Sequence, residues 1–230
     1  AALDFIRNEQ FCAEEAALVQ RYISALFYFA TDGENWTDAS TWLSSSHECD
    51  WGKTFCIDLV ITDLSSDENG LGGTLPFEIC GLPFLEVIDL DGNNIGGSLP
   101  ESIGDCKNLL TLDIDKNSLT GTIPESLYSI TGLRNLDLDN NNLQGPLSND
   151  IGNLEDLENL SLWENRLTGT IPVSIANLGN LAIAYFDSNE FTGVMPVGVC
   201  PLREEQLSDL TSDCAGNTPD VECSCCSECA

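Results

Sequence analysis

A chain of 230 residues with 8 Lys and Arg against 38 Asp and Glu carries a formal charge of −30, which disfavours nucleic acid and anionic membrane surfaces and points to cationic partners. Hydrophobic residues make up 42% of it, enough for a packed core and too much for a disordered acidic tail. Its 11 cysteines against 1 histidine favour an oxidising, secretory compartment and exclude any site built on two histidines. A Ser-His-Asp arrangement would have to use His47, which sits in the polar run SSSHECD and reads as a solvated loop residue.

The N-terminus AALDFIRNEQ lacks a basic region followed by an apolar run, and no stretch reaches the ~18 apolar residues of a membrane span. A mature, soluble product, its targeting peptide if any already removed, is therefore expected, and the cysteines place it outside the cell or at the cell surface. Residues 13 to 30 place Leu18, Val19, Tyr22, Ile23, Leu26 and Phe27 on one helical stripe, suited to covering the open end of a following core. The segment CDWGKTFC follows, with Cys49 and Cys56 around Trp51.

From there the chain repeats. Asn69, Asn93, Asn117, Asn141, Asn165 and Asn189 fall 24 residues apart, and Gly73, Gly97, Gly121, Gly145, Gly169 and Gly193 follow each by four. Apolar residues precede each Asn at fixed offsets, as in Leu109, Leu112 and Ile114 before Asn117. A buried Asn can bond the backbone of neighbouring coils, the Gly permits a conformation closed to other residues, and Pro76, Pro100, Pro124, Pro172 and Pro196 stiffen the return limb. The fourth repeat has Pro146 early in the frame and Ser148 where Pro would stand, so a local irregularity is expected on that flank.

The pattern is that of the leucine-rich repeat, and its Asn-x-Leu-x-Gly-x-Ile-Pro segment resembles the plant type of receptor-kinase ectodomains and polygalacturonase-inhibiting proteins. The caps and tail look most like secreted leucine-rich-repeat proteins of diatom type. The resemblance implies an α/β solenoid, a right-handed superhelix with a parallel concave sheet, a helical N-terminal cap at 1–60, six repeats at 61–204 and a disulfide-rich C-terminal cap at 205–230. It also implies a bridge between Cys49 and Cys56. Cys80 and Cys106, close to one coil apart, can bridge adjacent coils by their spacing alone. In the tail, Cys200, Cys214, Cys223, Cys225, Cys226 and Cys229 suit either three disulfides or a thiolate metal cluster, and disulfides are favoured. Cys12 is then left over.

Residues six, four and two before each Asn should point out of the concave strands, since side chains alternate along a strand. Those columns are rich in Asp and contain no Lys or Arg. Carboxylates about 4.8 Å apart on neighbouring strands repel by about 0.9 kcal/mol even in water, so cations, retained protons or salt should offset the ladder. A weak calcium site bridging Asp89, Asp91, Asp113, Asp115, Asp137 and Asp139 is one expectation, although no cofactor is required. An EF-hand reading of DLDGNN, DIDKNS and DLDNNN fails, because Pro100, Pro124 and Ser148 stand where that loop needs Glu. Trp163 and Tyr185 interrupt the ladder on adjoining strands, placing a docking site at Trp163, Tyr185 and Asp187 with Asp137 and Asp139 on its rim.

These features describe an extracellular recognition or adhesion module for a protein, peptide or polysaccharide that is cationic or cation-bridged. The alternative is an inhibitor of a cell-wall polysaccharide hydrolase, as the resemblance implies. No enzyme is expected, because a periodic ladder sets no single carboxylate pair apart by environment. The ladder of Thr120, Thr122, Thr168, Thr170 and Thr192 suggests ice binding only weakly, being broken at Gln144 and Pro146. Sequons at Asn35 and Asn159 predict a glycoprotein, and a glycan at Asn159 would occupy part of the concave face.

Overall fold

A computed structural model describes residues 15–215 and 220–229; Cys12 lies outside them. Helix α1 (Glu15–Ala30) opens the chain. It is followed by a hairpin of β1 (Thr54–Ile57) and β2 (Val60–Ser65). The repeats then contribute β3 (Val87–Asp89), β4 (Thr111–Asp113), β5 (Thr120–Gly121) and β6 (Asn135–Asp137). Next come β7 (Asn142–Pro146), β8 (Asn159–Ser161), β9 (Arg166–Gly169), β10 (Ile183–Tyr185) and β11 (Glu190–Phe191). The chain closes with β12 (Gly193–Val194), the single turn α2 (Leu202–Glu205), β13 (Asp209–Ser212), β14 (Val221–Glu222) and β15 (Glu228–Cys229). The main sheet runs β1-β2-β3-β4-β6-β8-β10-β13-β15, and the return limbs form a second sheet, β11-β9-β7-β5. All pairs beyond the first hairpin are parallel.

Each coil is built the same way. In the third, Leu109, Leu112, Ile114, Leu119 and Leu127 are fully buried, forming a layer that stacks on its neighbours. Asn117 holds the layers together. Its Oδ1 accepts from the Ile95 amide at 2.9 Å, and its Nδ2 donates to Leu90 O at 2.9 Å and to Asp115 O at 2.8 Å. Asn141 and Asn165 repeat these bonds one and two coils on. The residue before each Asn turns left-handed, including Lys116 at φ 46 and Asn140 at φ 48. The chain also needs positive φ at the repeat Gly: Gly97 sits at φ 73, where an added Cβ would lie 2.9 Å from Thr74 Cγ2.

The fourth flank is regular, contrary to the expectation from Pro146. Strand β7 is continuous through Pro146, and Ser148 takes the φ −70, ψ 150 backbone that Pro124 holds at −69 and 140. Its hydroxyl accepts from the Asp150 amide, so a side-chain cap replaces a stiff ring in starting the short helix that follows.

The N-terminal cap buries a different stripe from the one predicted. Val19 remains 43% exposed, whereas Gln20, Arg21, Ser24 and Ala25 are buried with Ile23 and Phe27. The polar members are matched: Arg21 pairs with Glu48 and lies 5.1 Å over the Trp51 ring, and Gln20 Oε1 accepts from the Ile61 amide at 2.9 Å. Trp36, Trp42 and Trp51 pack edge to face or tilted beneath the helix. His47 starts a helical turn by accepting from the Cys49 amide, the loop role expected of it. The disulfides are Cys49–Cys56, Cys80–Cys106, Cys200–Cys225, Cys214–Cys229 and Cys223–Cys226. The thiolate-cluster alternative falls with them, since every tail cysteine is consumed.

Replacing Asn117 by Ala should cost about 1 to 3 kcal/mol in urea unfolding, because it orphans the buried Ile95 amide, while the Leu90 carbonyl keeps its bond from Asn93 Nδ2. Exposed Asn153, replaced likewise, should stay within about 0.5 kcal/mol of the parent.

Candidate functional site: an acidic and aromatic face on the main sheet

The strand register lines up Ser65, Asp89, Asp113, Asp137, Ser161, Tyr185 and Thr211 in one column. A second column runs Asp63, Val87, Thr111, Asn135, Asn159, Ile183 and Asp209. The residues between them, such as Leu64, Ile88, Leu112 and Leu136, are buried, so the frame assigned from sequence puts its polar columns on the open side of the sheet.

Crowding perturbs the acids in the middle of that side. Burial pushes the Asp113 carboxyl up to about 7, with the Asp115, Asp89 and Asp91 charges adding to it. Burial does the same at Asp137, also to about 7, reinforced by Asp139 and Asp113. Asp89, Asp91 and Asp115 are raised as well, each mainly by burial. Asp67, at the N-terminal end, is instead held down by the hydrogen bond from Lys53, 2.7 Å away.

The six aspartates expected to share a cation do not form one group. Asp113, Asp115 and Asp137 bring a carboxylate oxygen each within 4.8 Å of one another. Asp139 is occupied otherwise, its oxygens accepting from Asn140 Nδ2 at 2.8 Å and Ser161 Oγ at 3.0 Å. Asp89 and Asp91 stand outside the trio.

Toward the C-terminal end the face dips into a cavity of about 350 Å³ lined by Asp139, Trp163, Tyr185, Asp187, Asp209, Thr211 and Glu228. The predicted docking residues Trp163, Tyr185, Asp187 and Asp139 meet there. Asp137 does not line it and belongs to the carboxylate trio. Trp163 is 36% exposed, and the Tyr185 hydroxyl is pushed up by burial and by the charges of Asp209, Glu228 and Asp187. Thr211 Oγ1 bonds to Asp187 Oδ1, fixing that carboxylate. A larger cavity of about 620 Å³ is lined by Tyr128, Ser129, Thr131, Asn153, Glu155 and Asp156. It gathers fewer acids and a single aromatic ring, and that ring is itself buried.

Asp209, Thr211 and Glu228 are contributed by strands that continue the sheet into the tail, and reading the tail as a cap missed them. A signal was present. Leu207 and Leu210 repeat the Leu-x-x-Leu spacing of Leu157 and Leu160, in a coil whose strand starts 26 residues after the previous one. Of the sequons, Asn35 is exposed and donates to Asp32 Oδ2 at 2.8 Å, while Asn159 is half-buried in β8 between Asn135 and Ile183.

Leucine-rich-repeat family models match residues 81–143 and 156–178. No curated protein sequence matches the chain significantly. Among solved structures, the plant peptide hormone receptor RGFR1 is 34% identical over 63% of this chain and 23% of its own, with a TM-score of 0.61. The Arabidopsis receptor kinase HAESA, solved with the peptide hormone IDA and the co-receptor SERK1, is 27% identical over 86% of this chain and 34% of its own, with a TM-score of 0.73. A plant ice-binding protein is 26% identical over 93% and 66%, with a TM-score of 0.74. The chain thus spans about a quarter of the RGFR1 chain and a third of the HAESA chain. It folds as a leucine-rich-repeat solenoid similar to plant receptor ectodomains, and the five disulfides among the described residues accord with a secreted or cell-surface location. Among the described residues no helix is long and apolar enough to cross a membrane.

The raised carboxyls make stability depend on pH. A folded pKa of about 7 at Asp113 and Asp137, against 3.8 unfolded, means the native state holds protons the unfolded state has lost. That contribution is complete below 3.8 and disappears as pH rises through about 7. In chelator-containing buffer the melting temperature should therefore be higher at pH 5 than at pH 8, and the paired Asp113→Asn and Asp137→Asn substitutions should flatten the difference.

Proposed function

We propose that the protein is an extracellular recognition module whose open sheet face captures a basic segment of a protein or peptide at the cavity of Trp163, Tyr185 and Asp187. The observation that carries this reading is the pairing of two accessible aromatic rings with the carboxylates of Asp139, Asp187, Asp209 and Glu228 in one cavity, with no Lys or Arg in its lining. An arginine or lysine side chain seated there gains ring contact and charge pairing together. Support comes from the solved receptor complex of HAESA with a peptide hormone. Adhesion through a basic or cation-bridged surface would use the same face. Inhibition of a cell-wall polysaccharide hydrolase would too, and an inhibition assay beside the peptide assay separates the two.

Ice binding is the weaker reading. It is favoured by the coverage of the plant ice-binding protein and by the exposed Thr120, Thr122, Thr170 and Thr192 on the return limb. Gln144 and Pro146, both exposed, interrupt the ladder between those threonines, and no thermal hysteresis is expected.

A display library of extended peptides should yield binders rich in Arg and Lys, with affinity falling as salt is raised. Trp163→Ala should weaken the selected peptides by about tenfold or more, and Asp105→Asn, on an exposed position outside the cavity, should not. Enrichment of acidic or purely apolar peptides would contradict the proposal.

A further inference from the structure

We propose that Asp113, Asp115 and Asp137 form a divalent-cation site that prefers calcium to magnesium. None of the three lines the docking cavity, so the site stands independently of the peptide reading. Strands β4 and β6 hold Asp113 and Asp137 as direct neighbours in register, and Asp115 follows two residues beyond β4. One carboxylate oxygen of each lies within 4.8 Å of the other two. Two oxygens bound to the same calcium ion, at about 2.3 to 2.6 Å from it, can stand at most about 5 Å apart, so the trio can reach one ion as it stands. Magnesium demands near-ideal octahedral geometry at about 2.0 to 2.1 Å and gives up its waters reluctantly, which three carboxylates fixed on neighbouring strands serve less well than they serve the looser shell of calcium.

The second observation is the state of Asp115. Its side chain is only 10% exposed, its Oδ2 accepts from Lys116 Nζ at 2.6 Å, and its Oδ1 is buried with no hydrogen-bond partner. A carboxylate oxygen withdrawn from water without a donor is unfavourable, and a cation held against it removes the deficit. Asp113 and Asp137 are already oriented for the task. The Oδ1 of Asp113 accepts from the Asp115 amide at 3.3 Å and that of Asp137 from the Asp139 amide at 3.2 Å, which leaves the second oxygen of each for a ligand. Ionised, the three carboxylates and the Lys116 ammonium carry a net charge of −2, which one divalent ion neutralises. The Lys116 side chain is 60% exposed and bonds Oδ2, leaving the other oxygen of Asp115 for an ion.

The test is calorimetric titration of calcium chloride, and separately magnesium chloride, into the full chain stripped of metal and held at pH 8. The expected result is one calcium per chain, with a dissociation constant on the order of 10⁻⁴ to 10⁻³ M, the range of extracellular modules with partly exposed ligands. Calcium should raise the melting temperature, and magnesium should bind at least about tenfold more weakly. Asp115→Asn and Asp137→Asn, each checked for folding by circular dichroism, should each weaken calcium binding by about tenfold or more, while Asp105→Asn leaves it unchanged. Terbium luminescence on the unmodified chain, reversed by calcium, gives a readout that needs no variant. Absence of saturable heat and of any melting shift at about 10 mM calcium overturns the site, as does undiminished binding by a folded Asp115→Asn chain. Equal affinity for magnesium overturns the assignment to calcium.

Discussion

The structure depends on how each coil disposes of the backbone groups its turn leaves open. A short parallel strand followed by a left-handed turn leaves an amide just past the turn, such as that of Ile95, without a backbone partner, inside a layer of buried leucines where water cannot reach. The repeat Asn fills that gap from both sides, accepting from the amide of one coil and donating to carbonyls of that coil and its own. One side chain thereby fixes both the spacing of the coils and their register. Because register is fixed, residues 24 apart must share a column, and the charge pattern of the open face follows from the sequence with no further freedom.

That constraint explains why the protein tolerates an arrangement unfavourable by itself. Rows of aspartate on neighbouring strands repel, and partial burial makes their ionisation harder still. A loosely held sheet would splay to relieve this. Here the cost falls on the protonation of Asp113 and Asp137, since the core and the Asn bonds do not yield. The N-terminal end of the face is quieter, with Asp67 matched by Lys53. The C-terminal end breaks the ladder with Trp163 and Tyr185 and closes around them with tail strands. The face is graded, and the binding proposals rest on its middle and its C-terminal end.

The repeats, the outward columns and the meeting of Trp163, Tyr185, Asp139 and Asp187 were legible in the sequence, because a fixed period turns position along the chain into position on the surface. Cys80 and Cys106 were legible for the same reason. Legibility ended where the period did. The helix stripe was misjudged at Val19 because the buried partners of Arg21 and Gln20 lie in distant segments, around Glu48 and Ile61, that no local periodicity can indicate. The tail strands were missed because two additional residues shift the frame and no Asn marks the coil; Asp213 stands 24 residues after Asn189 and binds the amides of Ser188 and Asn189 in its place. Ser148 behaved like the prolines of the other coils because the short helix asks for an extended backbone and a cap, which a hydroxyl supplies as well as a ring.

The account's central claim is that recognition is centred on the C-terminal aromatic part of the sheet face. Trp36, Trp42 and Trp51 are buried in the cap, and Trp163 is the exposed indole of the four. The most direct measurement is a proton–nitrogen spectrum of the indole groups during titration with an arginine-containing peptide. The account predicts that the Trp163 signal moves progressively to saturation while the three cap signals stay fixed. A titration that saturates with Trp163 unmoved would contradict it.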